Sequence, residues 1–154
     1  SSDVCSSDLP WGVLLLFGGG LSLAAAAQST GLAAWIGNMM PLGLSMALLI
    51  IMFTALIIFL TELTSNLATT ATFLPIVAII ATQFGFDPLL LTASIAIAAS
   101  CAFMLPVATP PNAIVFGSEL IKVPQMMRAG IVINLIAILV VTLAGLYLVP
   151  LFLI

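Results

Sequence analysis

The chain has 154 residues, 64% of them hydrophobic and 5% charged, with two Lys or Arg, five Asp or Glu and no His. A soluble domain is about one quarter charged, so this composition, with a mean hydropathy of +1.42, excludes an ordinary water-soluble protein and points to the lipid bilayer as a partner. Two basic residues make no phosphate-binding surface, which excludes nucleic acid, and at this length about five membrane-embedded segments leave no room for a separate soluble domain.

Residues 1–9, SSDVCSSDL, are polar, low in complexity and end abruptly at Pro10. With neither a basic start nor an apolar core they do not make a signal peptide. Residues 3–9 can be spelled by the codons of a common sequencing-adaptor end, so 1–9 read as a non-native translated adaptor and 10–154 as the membrane domain. Resequencing across the junction tests this. Cys5 then carries no chemistry, and Cys101, set in an apolar run, reads as a small packing residue, so no disulfide framework is implied.

A first helix is expected over 11–27, with Trp11 at the membrane interface. The triplet Gly18, Gly19, Gly20 reads as a surface for close approach of a neighbouring helix. It is not a phosphate loop, since no Lys, Ser or Thr follows at the required spacing. Residues 30–40 are too short and too broken by glycine to cross, and are expected to lie along the interface with Trp35 near the headgroups. Pro41 restarts the chain. Residues 42–60 then supply about 19 apolar residues, roughly 28 Å of helix, enough to cross or to form one leg of a re-entrant hairpin over 42–82.

The stretch 61–75, TELTSNLATTATFLP, is a polar knot between two almost pure hydrocarbon runs. Polar groups at membrane depth are costly and by default mark a substrate or ion path. Ser65 and Asn66 prefer caps to helix interiors, so the helix is expected to break at 64–66, with Ser65 or Asn66 as N-cap of a second leg. Such a tip offers free N–H groups and the positive end of a helix dipole to a carboxylate. A Ser/Thr-rich helix contact is the blander reading of the same residues. Glu62, the acidic residue deepest in the apolar region, is either a buried functional carboxylate or simply paired with a polar group elsewhere.

After a loop at 83–87, Asp87 as N-cap and Pro88 at the first helical position start the next helix. It is expected to run to about Leu105, within a broken helix spanning 88–118. Pro106, Pro110 and Pro111 remove amide donors and force the chain extended, yet apolar helix resumes at Ala113. A helix broken at membrane depth is tolerated where its backbone is buried or lines a cavity, and transporters build ion and substrate sites from such breaks. Thr109 and Asn112 supply side-chain ligands that a mere proline kink would not need. Glu119, Lys122 and Arg128 fall in a polar connector before a final helix over 130–153. Both basic residues sit there, so the positive-inside rule makes the connector and the Trp11 end cytoplasmic, with the 83–87 loop and Ile154 outside.

Three stretches, WGVLLLFGGGLSLA (11–24), TELTSNLATTATFLP (61–75) and SCAFMLPVATPPNAIVFGS with the following KVPQMMRAG (100–130), resemble the C-terminal half of the divalent anion:sodium symporter (DASS) family, the sodium-coupled di- and tricarboxylate and sulfate carriers. The similarity is continuous from Pro10 to the end. It implies an all-α membrane protein and the C-terminal inverted repeat of a secondary transporter, with a re-entrant helical hairpin and a proline-broken transmembrane helix. It also implies that the first repeat, with its own hairpin and sodium site, is missing from this chain, and that the full-length carrier is a homodimer. Ser65 and Asn66 match the first two positions of the family's Ser-Asn-Thr tip, which contacts a substrate carboxylate. Leu67 replaces the Thr, removing a hydroxyl donor. Thr109 and Pro110 match the broken-helix residues beside the substrate. The second sodium site would be built from Thr61, Thr64, Asn66 and Ala108, through the hard oxygen ligands that suit such cations.

The family implies a co-transported Na⁺, no organic cofactor and a small dicarboxylate such as succinate or malate as substrate; a prokaryotic inner membrane is the expected location. Neither knot contains Arg or Lys, so a dianion must be held by neutral donors, helix N-termini and bound Na⁺. The alternative is a non-transporting membrane subunit or anchor whose polar knots serve helix packing only. An intramembrane enzyme is disfavoured, because there is no His, GxSxG, HExxH or catalytic Asp pair.

Overall fold

A computed structural model of the chain describes residues 11–32, 35, 39, 45–118 and 120–153. Among these there is no strand, and the helices are α1 (Trp11–Ser29), α2 (Met46–Thr61), α3 (Asn66–Gln83), α4 (Pro88–Ala98), α5 (Pro110–Gly117), α6 (Val123–Leu143) and α7 (Val149–Leu153), with a π-helical segment, Ala144–Leu148, joining the last two. Residues 1–10 and most of 30–44 lie outside the described residues, and with them the foreign leader and the interfacial segment expected from the sequence.

Capping chemistry explains the helix boundaries. Ser45 accepts the Leu48 amide at 3.3 Å and starts α2. Ser65 accepts the Ala68 amide at 3.1 Å and starts α3. The Asp87 carboxylate takes the Leu89 amide at 2.8 Å, with Pro88 in the first turn of α4, where its missing N–H costs nothing. α3 closes in a Schellman motif, the Gly85 amide reaching the Thr82 carbonyl at 3.1 Å and the Phe86 amide the Ala81 carbonyl at 3.0 Å. Gly85 makes that turn with φ of 74°, a conformation open to a residue without Cβ.

The core lies where α2, α3, α4 and α6 meet. Leu49, Ile50, Ile57 and Ile58 of α2 face Val77 and Ile80 of α3, Leu91 and Ile95 of α4 and Val141 of α6, all buried. α1 is an outlier that packs on α3 alone to any extent. Gly20 makes this contact, since a Cβ there would fall on the Ala71 carbonyl, whereas Gly18 and Gly19 face open space. α2 and α3 follow each other through the turn at 62–65 but touch only sparsely, α3 lying against α1 and α4 and α2 against α4 and α6.

Two boundaries differ from the sequence-based expectation. The helix expected to reach about Leu105 stops at Ala98, and 99–109 is non-helical before α5 begins. The Ala99 carbonyl is claimed by Thr61 and the amides of Phe103, Met104 and Leu105 by Glu62, residues distant in sequence that the local pattern cannot register. The final helix starts at Val123 and not at Gly130, so Arg128 lies inside α6 and not in a connector. Pro124 suits the first turn, and the Gln125 side chain accepts the Lys122 amide at 3.0 Å, closing the helix start.

Among the described residues two stretches are long and apolar enough to cross a membrane, Asn66–Gln83 with 18 residues and Val123–Phe152 with 30. The regular hydrogen-bond ladder of the second is interrupted near its end. Pro150 lacks an amide and its ring would press on the carbonyl four residues earlier, and the π-helical segment just before it loosens the ladder. Gly145 in that segment lets α4 approach so closely that a Cβ would meet the Ser94 hydroxyl.

Candidate functional site

The two polar knots meet at Thr61. This last residue of α2 is fully buried, and its hydroxyl lies 2.7 Å from Asn66 Oδ1 and 3.0 Å from the carbonyl of Ala99. One hydroxyl proton cannot serve both. With the Asn66 amide turned so that Nδ2 donates to Thr61, the hydroxyl keeps its proton for Ala99 and both contacts are satisfied. The tip before α3 is thereby tied to the start of the break after α4, across 38 residues of sequence.

The remaining tip residues are held from within. Thr64 donates to the Leu60 carbonyl at 3.0 Å and shares a hydroxyl–hydroxyl bond of 2.6 Å with Thr69. These two threonines, with Thr72, give a polar wall to a small cavity of about 120 Å³ that Leu60, Ala68 and Phe73 complete. Thr70 returns its hydroxyl to the Asn66 carbonyl at 2.7 Å. Ser65, with its oxygen committed to the Ala68 amide, is exposed, and so is Leu67, at 42%. Among the described residues the amides of Asn66 and Leu67 donate to nothing, so the N-terminus of α3 keeps two free donors beside its positive dipole end.

The second knot is built differently. Thr109 caps α5, accepting the Asn112 amide at 3.4 Å, and Pro110 and Pro111 follow with no amide to offer. The N-terminus of α5 therefore has no spare backbone donor, in contrast to that of α3. Asn112 turns back and donates to the carbonyls of Ala102 and Leu105, both at 3.0 Å, holding the break in a loop. Ala108, half-buried, bonds through its amide to Leu105 at 3.2 Å. Thus Thr61 and Asn66 meet the beginning of the break, while no hydrogen bond among the described residues joins Ser65, Asn66 or Leu67 to Thr109 or Pro110.

Glu62 is the centre of the arrangement, a role the sequence left open. It is 3% exposed. Its Oε1 accepts the amides of Phe103 and Met104 at 2.7 and 2.8 Å, and its Oε2 accepts that of Leu105 at 3.0 Å. Asn134 of α6, fully buried, donates its Nδ2 to the same Oε1 at 2.8 Å. Three successive amides aimed at one point make an anion-binding nest, and here the chain's own carboxylate fills it. Gly130, one turn before Asn134, lets α6 press on this loop, as a Cβ there would strike the Phe103 carbonyl and Met104 Cα. The sequence reading did not single out Asn134, although a lone amide among Ile131, Val132, Ile133, Leu135 and Ile136 is the kind of polar intrusion that membrane-depth reasoning should flag.

A family model described as the sodium:sulfate symporter transmembrane region matches residues 2–154, a span that takes in the leading residues set apart above. The sodium-dependent dicarboxylate transporter SdcS of Staphylococcus saprophyticus is 48% identical to the chain over 147 residues, which are 94% of this chain and 28% of that protein. The protein of the same name from Staphylococcus aureus strain MRSA252 matches with the same identity and coverage. The chain thus spans little more than a quarter of the length of these relatives, which are transporters and not enzymes.

Proposed function

Because the chain belongs to the sodium:sulfate symporter family, we propose that it forms part of the binding site of a sodium-coupled carrier, in a prokaryotic inner membrane, for divalent organic anions such as succinate or malate. The observation that carries this reading is the 48% identity to sodium-dependent dicarboxylate transporters over 94% of the chain. Ser65, Asn66 and Leu67 at the tip, with Thr109 and Pro110 at the break, take the anion. Thr61, Thr64, Asn66 and Ala108 take Na⁺, and a first repeat of the same protein completes the site within a homodimer.

The chemistry of the tip supports the reading. The unpaired amides of Asn66 and Leu67 suit a carboxylate. With Asn66 Nδ2 turned to Thr61, the Asn66 Oδ1 is left uncommitted, and it and the Thr61 hydroxyl are neutral oxygens of the kind hard cations prefer. Lys122 and Arg128 are both exposed at the start of α6 and stand in neither knot, so no side chain there neutralises a dianion, and a bound Na⁺ supplies the positive field.

The test uses the complete carrier, residues 11–154 in the frame of the Staphylococcus aureus relative, reconstituted in proteoliposomes. Labelled succinate should accumulate under an inward Na⁺ gradient, with K⁺ unable to substitute and excess sulfate unable to compete. Asn66→Ala should abolish uptake while the protein still assembles. Uptake of equal rate in K⁺, or an Asn66→Ala carrier with unchanged transport, would overturn the proposal.

A further inference from the structure

We propose that Glu62 and Asn134 form a positioning pair that holds segment 99–109 in its binding shape and places a fixed negative charge behind the cation site. The inference rests on the carrier reading above and adds two residues outside the ligand set.

The burial and the partners carry it. Glu62 lies 3% exposed and Asn134 fully buried, so a carboxylate has been taken out of solvent at a cost that only strong compensation offsets. That compensation comes wholly from neutral N–H donors: Phe103, Met104, Leu105 and the Asn134 side chain. Four donors and no acceptor at the two oxygens describe an ionised, acceptor-only group. No Lys or Arg pairs with it, since both basic residues of the chain are exposed on the first turns of α6. The charge is therefore fully hydrogen-bonded yet not cancelled. It sits one residue after Thr61, whose hydroxyl joins the tip to the break. At the low effective dielectric of a buried site, such a charge favours a nearby cation without ligating it.

The same four bonds explain the shape of the break. Three consecutive amides cannot converge on one carboxylate and remain in a helical ladder, which keeps 103–105 out of a continued α4. Asn134 anchors the cluster to α6, and among the described residues its buried Oδ1 has no partner. Turning the amide would set that oxygen against the carboxylate, so the orphan acceptor is the consequence of serving Glu62 and marks the pair as more than packing. α6 thereby joins the tip and the break in one unit, and any rearrangement of 99–109 must act on all three.

Hydrogen exchange and transport on the complete carrier test the pair separately. In Glu62→Ala the amides of 103–105 should exchange at least about tenfold faster, as expected when charged hydrogen bonds are lost, while those of 69–80 stay protected. Asn134→Ala should loosen the same segment less, and the double variant should match Glu62→Ala, because the two act as one unit. Glu62→Gln keeps the side-chain shape and an acceptor for Phe103 and Met104 but loses the charge and the bond from the Leu105 amide, which then faces Nε2. It should raise the Na⁺ half-saturation concentration about tenfold or more and leave the succinate KM at saturating Na⁺ within about twofold. Unchanged exchange at 103–105 in Glu62→Ala would overturn the clamp. A Glu62→Gln carrier with normal Na⁺ dependence would overturn the charge role. If the unmutated carrier moves no dicarboxylate with Na⁺, the functional reading fails, and the exchange measurements still decide whether the pair holds the break.

Discussion

Thr61 shows how much can hang on one hydroxyl at membrane depth. It touches both Asn66 and the Ala99 carbonyl from a fully buried position. Thr61→Val keeps the side-chain shape and removes the hydroxyl, leaving a buried carbonyl unpaired. Stability should fall by about 1–3 kcal/mol and Na⁺ half-saturation should rise about tenfold, whereas Thr61→Ser should retain near-normal Na⁺ dependence. Sodium-activation curves in proteoliposomes measure this, and a Val variant with unaltered Na⁺ dependence would remove Thr61 from the cation site. Leu67 offers the opposite experiment. It is 42% exposed beside a free amide at the start of α3, where the family pattern has Thr. Leu67→Thr adds a hydroxyl donor next to the anion, so the succinate KM should drop about three- to tenfold; a rise in KM would show that the apolar side chain belongs to the substrate's surroundings.

At the scale of helices, the glycines separate close approach from mere smallness. Gly18, Gly19 and Gly20 are one triplet in the sequence, yet only Gly20 meets a neighbour, the Ala71 backbone. Gly20→Ala should force α1 off α3 and cost about 1–3 kcal/mol, while Gly18→Ala, facing open space, should be neutral or slightly stabilising, as Ala exceeds Gly in helix propensity. Thermal unfolding in detergent compares the two, and equal effects would mean that the α1–α3 contact is not as described. Gly130→Ala should be the more damaging at the break, because its Cβ would strike the Phe103 and Met104 backbone, and transport should fail along with stability. The caps were legible in advance. Ser65, Asp87 and Pro88 start their helices as their side-chain chemistry predicts. The end of α4 was not, since local pattern favours helix to Leu105 and the competing bonds come from Glu62, about forty residues earlier in the chain.

The whole molecule poses an electrostatic question, since the one deeply buried charge among the described residues, Glu62, is negative and the proposed substrate is a dianion. Both cannot be accommodated without cations, so binding should be ordered, with Na⁺ first. Succinate binding to the complete carrier, measured by equilibrium titration, should be undetectable in choline or K⁺ and appear with Na⁺; tight binding without Na⁺ would end the sodium-coupling account. Composition alone determined the solvent, because 64% hydrophobic residues cannot be covered by so few polar ones in water. Turn and cap chemistry determined where the tip begins, because Ser, Asn, Asp and Pro act on amides within three residues of themselves. Only the tertiary structure decided that Glu62 fills the nest of 103–105, that Asn134 supports it and that Gly20, not Gly18, makes the contact with α3. These depend on which helices become neighbours, and a hydrogen bond or close backbone approach between distant segments leaves no period or spacing in the chain to read.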